Sequence, residues 1–124
     1  MLVLTRFVAR HELKPLERYL SINDVLTGAR KILKGLAVET KPPRPVSGLR
    51  FFKIRLGGRQ SARMIVFVLV ENNKVVPLMI RLKKDKVFGT NMAMNDPALV
   101  KQVNKNLDEA MADIKAKRYQ EFAL

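Results

Sequence analysis

Seven cations, Lys53, Arg55, Arg59, Arg63, Arg81, Lys83 and Lys84, hold the chemistry this chain is richest in. A phosphodiester needs its charge neutralised, and the planar arginine fork grips phosphate through paired N–H donors. Cations crowded together also depress one another's pKa, which prepares a lysine to act as a base. With the 2′-hydroxyl as nucleophile, RNA can be cut by positioning and charge stabilisation alone, without metal or imidazole. The bland alternative is a solvated sheet face, or a docking surface for an acidic partner. Binding of some polyanion is therefore the broad expectation and catalysis the narrower one.

The set lies in the most cationic stretch of the chain. Residues 41–86 hold twelve basic and two acidic residues, so twelve minus two gives +10 in 46 positions. The other 78 positions hold twelve and nine, only +3. A whole-chain charge of +13 beside 48% hydrophobic residues describes a real core with a positive surface, not a disordered basic tail. A length of 124 residues suits one domain, 1–124. The absence of cysteine excludes disulfide scaffolds, thiolate metal sites and cysteine nucleophiles. His11 is the single histidine and reads as a half-exposed helix residue, and the eleven carboxylates show no metal-ligand spacing. Neither metal nor cofactor is expected. No apolar run approaches the roughly 18 residues of a membrane span. The opening MLVLTRFVAR lacks a leading basic region and a cleavage site, so the expectation is a cytoplasmic protein with no membrane partner.

The elements that must position these cations are legible from periodicity. The expected fold class is α+β: N-terminal helices packed on a small antiparallel sheet, with a C-terminal helix. Leu2–Leu4 fit an edge strand, and Val8, Leu13, Leu16 and Leu20 suggest a first helix broken near Pro15. Ser21-Ile-Asn-Asp24 resembles a capping box, and Val25, Leu26, Ala29, Ile32, Leu33 and Leu36 recur at helical steps. This strand and helices fill residues 1–40, before three prolines and a glycine between Lys41 and Gly48 mark a loop. Residues 48–86 then read as a basic three-strand meander: Arg50–Leu56, a GGRQSA loop, Met64–Val70 buried on both faces, an Asn72-Asn73 turn, and Val75–Leu82. Pro77 argues that the third strand lies at an edge. Asn95, Asp96 and Pro97 start a C-terminal helix read over 95–122, with Leu99, Val103, Leu107, Met111 and Ile114 as its stripe.

Alternation suggests a register. Pairing Ile65 with Ile80, Phe67 with Leu78, Leu69 with Val76, Ile54 with Ile65 and Phe52 with Phe67 makes one face wholly apolar. It also gathers Lys53, Arg55 and Arg81 on the opposite face around Met64, Val66 and Met79, while Arg63, at a strand start, can turn either way. Gly57-Gly58 with Arg59 can wrap a phosphate through backbone amides, although a plain hairpin loop is the commoner use. Tyr19 and Tyr119 sit in helical patterns and read as packing residues. Phe51 and Phe88 flank the basic cluster, where an aromatic ring can stack on a base or pack in the core.

The stretch GLRFFKIRLGGRQSARMIVFVLVENNKVVPLMIRLKKDK, Gly48 to Lys86, resembles the RelE/ParE superfamily of toxin–antitoxin toxins. It is similar in its basic strand, glycine-rich basic loop, arginine before an apolar strand, hairpin, and Lys-Lys after the last strand. YLSINDVLTGARKIL is similar to the second helix of some members, and the likeness covers about 85 residues. The RelE-like branch cuts mRNA on the translating ribosome with basic residues of a concave sheet face. The resemblance implies that Lys53 and Arg55 bind phosphate or act as base, that Arg63 stabilises the transition state, and that Arg81 with Lys83 or Lys84 completes the site. Arg50, Arg59, Lys86 and Phe88 join the nucleic-acid-binding set. Several RelE-like nucleases carry a tyrosine where this chain has Phe88, which stacks but donates no proton. The resemblance further implies an antitoxin encoded nearby with an acidic segment, mRNA on the ribosome as substrate, and operator DNA bound only through the antitoxin complex. The alternatives are a ParE-like inhibitor of DNA gyrase and a non-enzymatic RNA- or ribosome-binding protein.

Overall fold

A computed structural model describes residues 1–88 and 92–124. The chain is α+β. Strand β1 (Leu2–Thr5) leads into a short helix α1 (Arg6–Val8), a π turn over Ala9–Leu13 and a 3-10 turn over Lys14–Leu16. Helix α2 (Ile22–Leu33), strands β2 (Val38–Thr40), β3 (Leu49–Leu56), β4 (Ala62–Leu69) and β5 (Lys74–Leu82), helix α3 (Pro97–Lys115) and strand β6 (Tyr119–Phe122) follow. The strands form one sheet in the order β2-β3-β4-β5-β1-β6, antiparallel throughout except where β1 lies parallel to β5.

The meander is held between two layers. Val25, Leu26 and Ala29 of α2 pack with Phe52, Ile54, Leu56, Met64, Val66 and Ile80 on one sheet face. Leu99, Val103, Leu107 and Ala110 of α3 pack with Phe51, Ile65, Phe67 and Met79 on the other. The capping box starts α2 as expected: Asp24 N donates to Ser21 Oγ at 3.4 Å, and Ser21 N donates to Asp24 Oδ2 at 2.9 Å. The helix lies close on β3 because position 28 is glycine; a Cβ there would come within 2.3 Å of Leu56 Cδ2. Asp96 caps α3 through Ala98 N at 3.0 Å, with Pro97 in the first turn.

The structure corrects the expected register by one residue in the first hairpin, and by one and then two residues in the second. Ile54 pairs with Met64 and Phe52 with Val66, not with Ile65 and Phe67. Ile65 pairs with Met79 and Phe67 with Val76, not with Ile80 and Leu78, and Leu69 pairs with Lys74, not with Val76. The loop between β3 and β4 begins after the Leu56–Ala62 pair, and that sets the register of the first hairpin. In the second hairpin a register shift between Ile65 and Val66 leaves Val66 opposite Pro77 and skips Leu78.

This irregularity also explains why Pro77 does not sit at an edge. Strand β5 is interior, between β4 and β1, and a proline is accommodated where the ladder is already broken. Strand β1 is likewise not an edge. Tyr119–Phe122 leave the helical path after Lys115 and pair outside it, Leu2 against Phe122 through Thr5 against Tyr119. Tyr119 is therefore a strand residue, and the C-terminal helix is shorter than its 95–122 expectation. Asn73 takes φ +56° in the hairpin turn, the conformation its sequence suggested. No helix among the described residues is long and apolar enough to cross a membrane.

Candidate nucleic-acid interface

Three arginines form a straight row across the meander. Arg55 on β3 is directly opposite Arg63 on β4, and Arg63 is directly opposite Arg81 on β5. Adjacent strands lie about 4.8 Å apart, so the row spans roughly 10 Å of backbone. The sheet face is graded along its length. Phe51, Phe67 and Val76 form a wholly apolar row under α3, Lys53, Ile65 and Met79 form a mixed row, and the arginine row lies outermost. The expected grouping of Lys53, Arg55 and Arg81 holds, and Arg63 lies between Arg55 and Arg81. Their neighbours on this face are Ile65 and Met79, since Met64 and Val66 face α2.

Like charges directly opposed across a ladder destabilise it, so this row works against the fold unless an anion answers it. Part of the answer at Arg81 is internal. Glu12, 3% exposed on the π turn, pairs with Arg81 and accepts a hydrogen bond from Ile80 N at 2.8 Å. Strand β1 ends at Thr5, so β5 has no strand partner at Ile80 on its β1 side, and the Glu12 carboxylate takes that place. Asn106 of α3 completes the arrangement, donating to Glu12 Oε2 at 3.2 Å and to Leu78 O at 2.9 Å, while its own Oδ1 accepts from Gln102 at 2.9 Å. Sequence reasoning did not single out Glu12 or Asn106. A signal was present: each stands on an apolar helical stripe, Glu12 between Val8 and Leu16 and Asn106 beside Val103 and Ala110.

Burial pushes the Glu12 carboxyl above its usual 4.5, against the opposing pull of Arg81, the Ile80 amide and Asn106. Its folded-state pKa is thus above the unfolded one. The contribution to stability is full below pH 4.5 and is lost as pH rises through the raised value. Wild type should therefore gain on Glu12→Gln as pH falls from neutral toward that point. Urea titrations of both proteins at several pH values measure this, and a difference that does not vary with pH would contradict it.

The remaining candidates divide. Lys53 is half-buried and reaches Met92 O at 3.4 Å. Lys83, Ser61, Arg55 and Arg63 line a small cleft of about 90 Å³ at the end of the row. Phe88 lies 6.0 Å below the Arg81 guanidinium, a cation–π contact that holds both beside the row. Arg50 is not part of this face. It shares the α2 face with Phe52 and clasps Glu39 on β2 at 2.7 and 3.1 Å, and this hydrogen-bonding holds Glu39 below the usual carboxylate range. Lys84 lies 5.3 Å over the Tyr19 ring and Lys86 is exposed. His11 is exposed, with its ring 4.6 Å from that of Phe7.

Within the glycine pair, Gly58 serves packing. Gly58 has φ +126°, and Arg59 N donates to Tyr19 O at 3.1 Å, so that amide faces the protein. Arg59 itself lines an open cleft of about 440 Å³ with Tyr19 and Asp24. A Cβ on Gly58 would meet Tyr19 O and Leu20 Cδ2 at 2.9 Å. Gly58→Ala should cost about 2 kcal/mol from strain and this collision. Equilibrium urea unfolding reads it directly, and a loss under about 0.5 kcal/mol would be inconsistent with so tight a seat.

No family model, curated protein or solved structure matches this chain.

Proposed function

We propose that this protein is a RelE-like toxin of a toxin–antitoxin pair that binds mRNA on the ribosome along the Arg55–Arg63–Arg81 row and cuts the strand there. The observation that carries the reading is the row itself, three arginines in direct cross-strand register on one sheet face. Attack of a 2′-oxygen on phosphorus forms the cyclic phosphate and breaks the bond to the 5′-oxygen. Negative charge accumulates on the phosphoryl oxygens between those events, and arginines fixed beside them stabilise that state. Arginine does not give up its proton in a protein, so proton transfer falls to Lys53 on the adjacent row or Lys83 in the small cleft. Phe88 stacks against Arg81 and offers a surface for a base. A protein encoded nearby with an acidic segment would neutralise the same face.

Induced expression in bacteria, alone and with the neighbouring reading frame, tests this. Growth arrest with new in-frame transcript 5′ ends, relieved by the neighbour, supports it. Normal growth with intact transcripts, from well-expressed protein, removes it. Arrest with intact transcripts and inhibited gyrase would transfer the toxin reading to the ParE-like branch.

A further inference from the structure

A second cationic cleft lies at the other side of the sheet, where β1 and β6 meet the start of α1. Its volume is about 540 Å³, within the range of small-ligand sites. Arg6, Arg10, Lys117 and Arg118 line it together with Tyr119 and Leu4, and no carboxylate is among its lining residues.

A built support fixes the backbone that carries these cations and the side chain of Arg118. Asp113, 5% exposed, accepts from Arg118 Nε at 2.8 Å and from Phe7 N at 2.7 Å, tying the turn after α3 to the turn after β1. Three backbone bonds lock the same junction: Arg6 N to Arg118 O at 3.0 Å, Lys117 N to Ile114 O at 3.1 Å and Arg118 N to Asp113 O at 2.8 Å. Lys117 is held at φ +57°, a conformation a lysine seldom adopts. Two separate chain segments thus present their positive side chains to one concavity, and a buried carboxylate behind them sets the angle of one guanidinium.

We propose that this cleft binds the phosphate of a nucleotide through Arg6, Arg10, Lys117 and Arg118. The exposed Arg6, Arg10 and Lys117 answer the phosphate charge, and the half-buried Arg118 sits beside them. The nucleotide comes either as a unit of an RNA strand or as a free molecule. The site shares no residue with the arginine row, so it stands whether or not the row cuts RNA.

The test uses the full-length protein and a short 2′-O-methyl oligonucleotide, which lacks the nucleophile for cleavage. Arg10→Glu/Lys117→Glu spares the Asp113 support; Lys41→Glu/Lys105→Glu changes the net charge equally at exposed positions elsewhere. The cleft variant should lose roughly tenfold or more affinity beyond the control, because it loses phosphate contacts as well as general attraction. Amide resonances of Lys117, Arg118 and Tyr119 in the wild-type protein provide a readout that needs no variant to fold. Movement with 5′-AMP alone assigns the site to free nucleotides as well as RNA, and movement with the oligonucleotide only assigns it to a strand. Equal losses in the two variants, with those amides unmoved by either probe, would overturn the proposal.

Discussion

Glu12→Ala should lower the stability of this protein by about 3 kcal/mol, far more than its place in a charged N-terminal segment suggests. The substitution strands three groups at once. The Ile80 amide loses its acceptor, the Asn106 amide loses one of two, and Arg81 keeps a charge with its anion gone. A buried donor without a partner costs about 1 to 3 kcal/mol. Arg81 remains 22% exposed, so water recovers part of its solvation and keeps the total near the lower end for a broken buried pair. The raised Glu12 pKa fits this picture, since ionising the carboxylate in place is itself a net cost that its partners only partly offset. Urea unfolding of Glu12→Ala, and of Glu12→Leu/Arg81→Leu, separates the contributions. The double variant should recover part of the loss by removing the stranded cation. A loss below about 1 kcal/mol in the single variant would mean the network contributes little.

On the proposed RNA-cleaving function, Arg63→Ala should slow cleavage about a hundredfold while weakening RNA binding much less. Arg63 is the middle member of the row, with a cation directly opposite on each side. A fixed donor aimed at charge that develops during reaction is worth about 3 to 4 kcal/mol. A single phosphate contact among many, by contrast, contributes modestly to affinity and reduces the salt dependence by about one ion. The split between turnover and binding is therefore the signature. Cleavage in a translation mixture and salt-dependent binding to RNA read the two sides, with far-UV circular dichroism to confirm the fold. Equal losses in both would make Arg63 a simple phosphate contact and leave catalysis elsewhere.

How much was legible depended on how each strand divides its faces. In β3 the alternation of Phe52, Ile54 and Leu56 with Lys53 and Arg55 is unambiguous, and the cationic face followed from it. In β4 the run MIVFVLV is apolar on both sides, so either register buries hydrophobic residues and the pattern cannot choose between them. That is where the register error entered. Strand β6 was invisible for a different reason: YQEF is short, polar in the middle and continuous with a helical pattern, and it becomes a strand because β1 offers it an edge. The Glu12 arrangement depends on where β1 stops and on a π turn, neither of which a periodic pattern encodes.

The pairing of β1 with β6 also dictates an order of assembly. Leu56 and Ala62, at the tight end of the first hairpin, are six positions apart, whereas Leu2 and Phe122 are 120 apart. Closing the longer loop costs about 2 to 3 kcal/mol more in chain entropy. The meander can therefore pair from its local turns, while the β1–β6 ladder must wait until the chain between them has been drawn together. During synthesis from the N-terminus, the apolar rows beside the arginine row are made before α3 emerges to cover them. For that interval Phe51, Phe67 and Met79 are an uncovered surface on a nascent chain, and α3 is the segment that closes it.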